Sequence, residues 1–182
     1  IKSDTWTTWG KRNELLQDIC KNDNKQSVLI GDSLIHRLER CHPLISKEYF
    51  PSYLNLGIGG DTTSNILWRI REGGIPANIK YGVVLCGTNN CNKRINHHLL
   101  DIAKAIVDIG LKIRQNAEKV AIVGILPRKG HDVTAINGPL EILCSREQLI
   151  YVPPPRRLFS LSRELYDSDK LHLSSCGYHL LC

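Results

Sequence analysis

Apolar runs rich in Val, Ile and Leu, each bounded by Gly or Pro, recur five times along the chain: "SVLIGDS" (27–33), "YLNLGIGG" (53–60), "YGVVLCGT" (81–88), "KVAIVGILP" (119–127) and "QLIYVPPP" (148–155). Short continuous runs of this kind predict strands covered on both faces. Between them the pattern changes to the helical period. From His98 to Arg114 an apolar stripe of Leu99, Ile102, Ala103, Ile106, Val107 and Gly110 opposes Asp101, Lys104, Asp108 and Lys112, which predicts an amphipathic helix. "TTSNILWRIREGG" opens on threonine caps and closes on glycine, and "TTWGKRNELLQDICK" puts Leu15, Leu16 and Ile19 on one side of an earlier helix. Another helix is expected to begin at Asp32 and Ser33, a shorter one to follow Pro139, and a last one to close the chain at "SSCGYHLLC". No internal repeat, low-complexity tract or linker interrupts the series.

Strands alternating with helices predict an α/β fold: a flavodoxin-like three-layer α/β/α sandwich with a five-stranded parallel sheet in the order 2-1-3-4-5. With 182 residues, 42% of them hydrophobic, the chain forms one core and is expected to be a single domain over residues 1–182. Ligands of such sheets gather outside the carboxyl ends of the strands, so the residues after each apolar run carry the chemistry.

Composition narrows the setting. No run approaches the length of a membrane span, and "IKSDTWTTWGKRNELL" lacks the apolar core of a signal peptide. Met is absent, which leads us to expect a domain excised from a longer protein. Seven scattered cysteines, an odd number, fit free thiols in a reducing, intracellular (cytoplasmic) compartment better than a disulfide framework. A formal charge of +6 favours anionic partners, but the basic residues are spread, and the densest group (Arg156, Arg157, Arg163) has little aromatic interleaving. Charge is therefore a bias about partners and not a binding site.

The strand ends are unusual. After the first come Asp32 and Ser33; after the second, Gly59, Gly60 and Asp61; after the third, Gly87, Thr88, Asn89 and Asn90. "LYDSDKLHLSS" brings Asp167, Asp169 and His172 to the same edge. Serine is a preferred helix cap, so Ser33 is either the cap or a nucleophile. A nucleophilic serine needs a base, and the base a third group that orients it. His172 and Asp169, three residues apart, suit those two roles. Ser33 N–H, Gly60 N–H and the Asn89 amide are candidate donors to the oxygen that becomes negative in acyl transfer.

"GDSL" (31–34), "LGIGGDTT" (56–63), "GTNN" (87–90) and "DKLH" (169–172) resemble, in order, the four sequence blocks of the SGNH (GDSL-type) hydrolases. The resemblance is closest to the branch of the platelet-activating-factor acetylhydrolase catalytic subunits, through "NILWRI", and covers most of the chain from about residue 27. It implies a serine esterase acting on acetyl or other short acyl esters, lipids among them, with no metal or cofactor. Ser33 would be the nucleophile, His172 the base and Asp169 its partner, with Ser33, Gly60 and Asn89 forming the oxyanion hole. A second, looser resemblance is to the esterase domain of the first open-reading-frame protein of LINE-type retrotransposons. Expected partners are a small ester or lipid and an anionic membrane surface, with nucleic acid reached only through flanking domains; a homo-oligomer is compatible with the sequence. The competing readings are a carbohydrate O-deacetylase, and a lipid-, membrane- or nucleic-acid-associated module with little turnover.

Other patterns carry less. The glycines of 57–60 do not make G-x-G-x-x-G, because Thr62 stands at the third position. Cys176 and Cys182 would lie about 240° apart on a helix, which argues against a zinc site with His179. His97 and His98 read as the exposed start of the amphipathic helix, and His131 beside Asp132 is a rival base. Two departures from the family stand out: Gly138 and Pro139 shorten a helix that relatives carry longer, and the third block reads Asn-Asn where many members have Asn-Asp.

Overall fold

The computed structural model describes residues 2–22, 25–91 and 98–182. Strands β1 (Ser27–Gly31), β2 (Tyr53–Gly57), β3 (Ile79–Leu85), β4 (Ala117–Val123) and β5 (Ile150–Val152) form one sheet in the order β2-β1-β3-β4-β5. Every pairing is parallel, as the alternating pattern predicts. The helices are α1 (Lys2–Asn22), α2 (Ser33–Cys41), α3 (Pro43–Tyr49), α4 (Thr63–Arg71), α5 (Leu99–Arg114), α6 (Thr134–Arg146) and α7 (Ser175–Leu181), with a 3-10 turn at Arg156–Ser160.

Side chains alternate across a strand, and both faces of this sheet are apolar. Val28 and Ile30 of β1, with Leu56, Val84 and Ile122, pack against Leu16 of α1, Ile66 of α4, Ile106 of α5 and Leu140 of α6. Leu29, Leu85 and Val123 face the other layer, made of Leu34 and Leu38 of α2, Ile45 of α3, Leu158 of the 3-10 turn and Tyr178 of α7. The result is the three-layer sandwich. Close approach between α2 and β2 is what brings α2 over the strand ends. A Cβ on Gly57 would stand 2.3 Å from the His36 amide nitrogen, so only glycine fits. Buried Asn55 fastens the same contact, donating from Nδ2 to Ile35 O at 2.7 Å and accepting Gly57 N–H at 3.0 Å.

Several helices differ from expectation in physically legible ways. The region of Gly138 and Pro139 forms one continuous 13-residue helix, α6, with Pro139 inside it. The amide that proline lacks would have bonded the carbonyl of Ala135, an exposed residue, so water can serve that oxygen and the break is cheap. Asn137 ties α6 to the chain after β4, accepting Ile125 N–H at 2.8 Å and donating to Ile125 O at 2.9 Å. In α5 the buried stripe begins at Ile102 and gains Ile109 and Ile113, while Leu99 is exposed. In α1 the buried side is Asn13, Leu16 and Cys20, and Leu15 turns outward. His98 caps α5, and His97 lies outside the described residues. Helix α3, unforeseen in the pattern, carries a start signal in Pro43 at its first position. No described helix is long and apolar enough to cross a membrane.

Candidate active site

The turn from β1 into α2 decides between the two readings of Ser33. Asp32, not Ser33, is the cap: its carboxylate accepts Leu34 N–H at 3.0 Å. Ser33 is the first residue of the helix, and its hydroxyl is left free for other work. That Oγ lies 3.0 Å from His172 Nε2, while His172 Nδ1 lies 2.6 Å from Asp169 Oδ2. The loop that carries the histidine is built by its own aspartate, whose Oδ1 accepts the amides of Leu171 and His172 at 3.0 and 2.9 Å. At its neck Tyr166 and Leu173 pair antiparallel, and Tyr166 donates its hydroxyl to Pro127 O at 3.0 Å. Arg37, one turn along α2 from Ser33, pairs with Asp167. One helix thus carries Ser33 and also pins the loop that delivers His172.

Partial burial would raise the Asp169 carboxyl, but hydrogen bonds from the His172 amide, its ring and the Leu171 amide outweigh it and hold the group at about 2. An ionised acceptor at Nδ1 assigns the ring's proton to that nitrogen. Nε2 then presents a lone pair to Ser33, the tautomer a base requires.

The loops after β2 and β3 carry the other candidate donors. A Cβ on Gly59 would come 3.9 Å from Ser33 Cβ, so the Gly59–Gly60 turn runs beside the hydroxyl. Gly60 sits at φ +86°, a left-handed conformation that glycine adopts without strain. Asn89 donates one Nδ2 hydrogen to Asp61 O at 2.9 Å, leaving its second for a ligand. Ser33 N–H belongs to the first turn of α2 and has no acceptor within the helix. Asn90, the second asparagine of the unusual pair, is buried and structural: it accepts Thr63 N–H and donates to Thr63 Oγ1, both at 3.0 Å.

The floor beneath this edge joins Asp61 and Asp32 to Arg69, Trp9 and Arg128, which the sequence pattern did not single out. Arg69 and Asp61 are both 0% exposed and form a bidentate pair, Nε and Nη2 to Oδ2 at 3.0 and 2.7 Å, and Trp9 Nε1 donates to Asp61 Oδ1 at 2.7 Å. A clue was present, since Arg69 falls in the apolar stripe Ile66–Arg69–Ile70, and a charge there implies a buried partner. Arg128 reaches across from the loop after β4 to donate to Thr88 O at 2.7 Å. Burial pushes the Asp32 carboxyl up to about 7. The rival base is poorly placed, because Asp132 accepts the Thr134 amide and hydroxyl and so serves the start of α6. His179 contacts Tyr49, and among the described residues no three His, Cys, Asp or Glu side chains gather as a metal site.

No family model matches the chain. Among curated proteins it is 33% identical to platelet-activating factor acetylhydrolase IB subunit alpha2 of Rattus norvegicus over 199 aligned positions, which cover 98% of this chain and 81% of that protein. This chain belongs to the SGNH hydrolases, in the platelet-activating-factor acetylhydrolase IB branch. To subunit alpha1 of the same species it is 37% identical over 114 residues, 61% of this chain; the match spans about half of that relative, 47% of its length. The SGNH fold recurs in a GDSL-like lipase from Bacteroides thetaiotaomicron, with TM-score 0.74 and 21% identity over 96% of this chain and 92% of that one. It recurs also in an acetylxylan esterase from Geobacillus stearothermophilus, with TM-score 0.69 and 14% identity over 87% and 90%. At those identities the structures attest the fold. The looser resemblance to retrotransposon esterase domains receives no support from these relatives.

Proposed function

We propose that this SGNH hydrolase is a serine esterase that cleaves carboxylic esters through an acyl-enzyme, with acetyl and other short acyl groups as the acyl part. The observation that carries the reading is the chain of hydrogen bonds from Ser33 Oγ through His172 to Asp169, 3.0 and 2.6 Å long. In the first step Ser33 Oγ attacks the acyl carbon as Nε2 of His172 takes its proton. Ser33 N–H, Gly60 N–H and Asn89 Nδ2 hold the oxyanion. His172 then gives the proton to the departing alcohol, and a water activated by the same nitrogen attacks the acyl-serine and releases the acid. Asp169 stays ionised throughout and stabilises the imidazolium.

The substrate is a small ester, including lipid esters, and the relatives' acetylhydrolase names favour a short acyl group. A positively charged chain is suited to meet such lipids at an anionic surface. All seven cysteines are free thiols, which supports a reducing, intracellular setting. Covalent labelling by a fluorophosphonate tests the mechanism: wild type should label and Ser33→Ala should not, and label on any other residue would refute the assignment. A panel of aryl acetates, acetylated sugars and phospholipids tests the substrate. Preference for acetylated sugars would replace the lipid reading with carbohydrate O-deacetylation, and wild-type turnover no faster than Ser33→Ala would leave only a binding module.

A further inference from the structure

Asp61 is the most heavily tied residue of the site. Its carboxylate is held from two helices: Oδ2 by Nε and Nη2 of Arg69 on α4, at 3.0 and 2.7 Å, and Oδ1 by the indole N–H of Trp9 on α1, at 2.7 Å. Its carbonyl accepts Asn89 Nδ2 at 2.9 Å, and its own N–H donates to Ile58 O at 3.3 Å. Its preceding neighbour is Gly60. Two of the three groups that would hold the oxyanion, Gly60 N–H and Asn89 Nδ2, are therefore adjacent to Asp61 or bonded to it.

We propose that Asp61 is the residue that positions the Asn89 donor of the oxyanion hole and that α1 sets it, through the hydrogen bond from Trp9. An amide NH2 is planar, so fixing one hydrogen on the Asp61 carbonyl fixes the direction of the other. If the Asp61 main chain rotates, that second hydrogen swings off the oxyanion. Arg69 alone leaves Oδ1 without its donor; Trp9 closes the clamp from the opposite side. Its ring lies against Trp68, with centroids 5.8 Å apart and planes at 45°, so the indole contributes packing as well as the hydrogen bond. The two contributions can be separated, because phenylalanine keeps much of the packing and loses the N–H. Small displacements at such a site cost rate disproportionately, up to about 10² for 1 Å.

The proposal rests on the esterase reading, and the experiment keeps the two apart. Trp9→Phe is made alone and in Asn89→Ala, with kcat and KM measured on an aryl acetate and folding checked by thermal melt. The expected result is about a tenfold loss of kcat with KM within about twofold for Trp9→Phe alone. In Asn89→Ala, where the positioned donor is already gone, the same substitution should change kcat by less than about threefold. Equal losses in both backgrounds would mean a merely structural role, and an unchanged kcat would mean none; either overturns the proposal. If Trp9→Phe does not fold, benzothienylalanine at position 9, shaped like tryptophan but lacking the N–H, reads the same cycle. Fluorophosphonate labelling of wild-type Ser33 decides the esterase reading by itself: no label sinks that reading and this one with it, whereas label with equal losses sinks only the role of Trp9.

Discussion

Replacing Asp32 with asparagine keeps the shape of the side chain and an oxygen to cap α2, but removes the ionisable group. In the folded protein this carboxyl is 0% exposed, Oδ1 accepts Leu34 N–H at 3.0 Å, and Oδ2 has no hydrogen-bond partner among the described residues. Burial is the largest influence on it and raises its pKa; the Leu34 hydrogen bond lowers it, Asp61 raises it further and Arg128 lowers it, with the result about 7. In the unfolded chain the same group ionises near 3.8. An acid whose folded pKa is raised holds its proton more tightly when folded. Its stabilising contribution is therefore complete below about 3.8, declines as pH rises toward 7, and is gone above it. About three pH units at 1.36 kcal/mol each give a change of roughly 4 kcal/mol.

Urea unfolding of wild type and Asp32→Asn at half-unit steps from pH 4 to 8 reads that change. Asparagine places an NH2 where no acceptor is found, a cost of about 1–3 kcal/mol that does not vary with pH. The difference between the two proteins is thus expected to move in favour of the variant as pH rises, by roughly 4 kcal/mol in total, and to flatten above about pH 7. Every other titrating group is common to both proteins and largely cancels. Parallel pH curves would refute the reasoning, because they would mean that Asp32 ionises in the folded protein as it does in the unfolded chain.

Three further outcomes follow from the same geometry. Asn89→Ala should lower kcat on aryl acetates by about 10² to 10³ with little change in KM if, as proposed, the amide acts on the oxyanion and not on the bound ester. Asp169→Asn should lower kcat by about 10⁴ in a folded protein, because an amide at that position no longer assigns the proton of His172 to Nδ1; steady-state kinetics beside a thermal melt checks both points. Asn137→Ala should cost about 2–4 kcal/mol by urea unfolding, as it leaves the Ile125 amide and carbonyl buried without partners.

The sheet was legible because β1 and the carboxyl-terminal halves of β2, β3 and β4 are largely buried on both faces and so read as apolar runs, whereas the edge strand β5, expected to be covered on both faces, is exposed at Ile150 and Val152. The exception is instructive: the run at 148–155 yields only Ile150–Val152, since Pro153, Pro154 and Pro155 cannot donate to a ladder and the outer edge needs no longer strand. Ser33, Asp169 and His172 were singled out by the four sequence blocks in family order, and the structure brings their side chains within hydrogen-bond distance of one another. The supports of the site were not. Arg37 and Asp167 are 130 residues apart, Trp9 and Asp61 52 apart, and nothing local marks either pair. Such pairs exist only after the fold has closed: Asp61 and Asp167 fall at the strand-end edge in the sequence, but nothing local names Trp9 or Arg37 as their partners.

The departure at Asn90 gains a physical meaning from the same floor. Its oxygen accepts Thr63 N–H, a bond an aspartate would make equally well, and Thr63 Oγ–H could turn to donate to a second carboxylate oxygen. The start of α4 would therefore be satisfied by either residue. What differs is charge. Beneath the strand ends Asp61 is compensated by Arg69 and Trp9, whereas the Asp32 carboxyl accepts Leu34 N–H and feels an attraction to Arg128, whose guanidinium donates to Thr88. A third carboxylate at position 90, next to the proposed oxyanion donor Asn89, would add repulsion where the proposed reaction creates a negative charge. Asparagine there and the raised pKa of Asp32 act in the same direction: each lowers the negative charge that the proposed oxyanion would face.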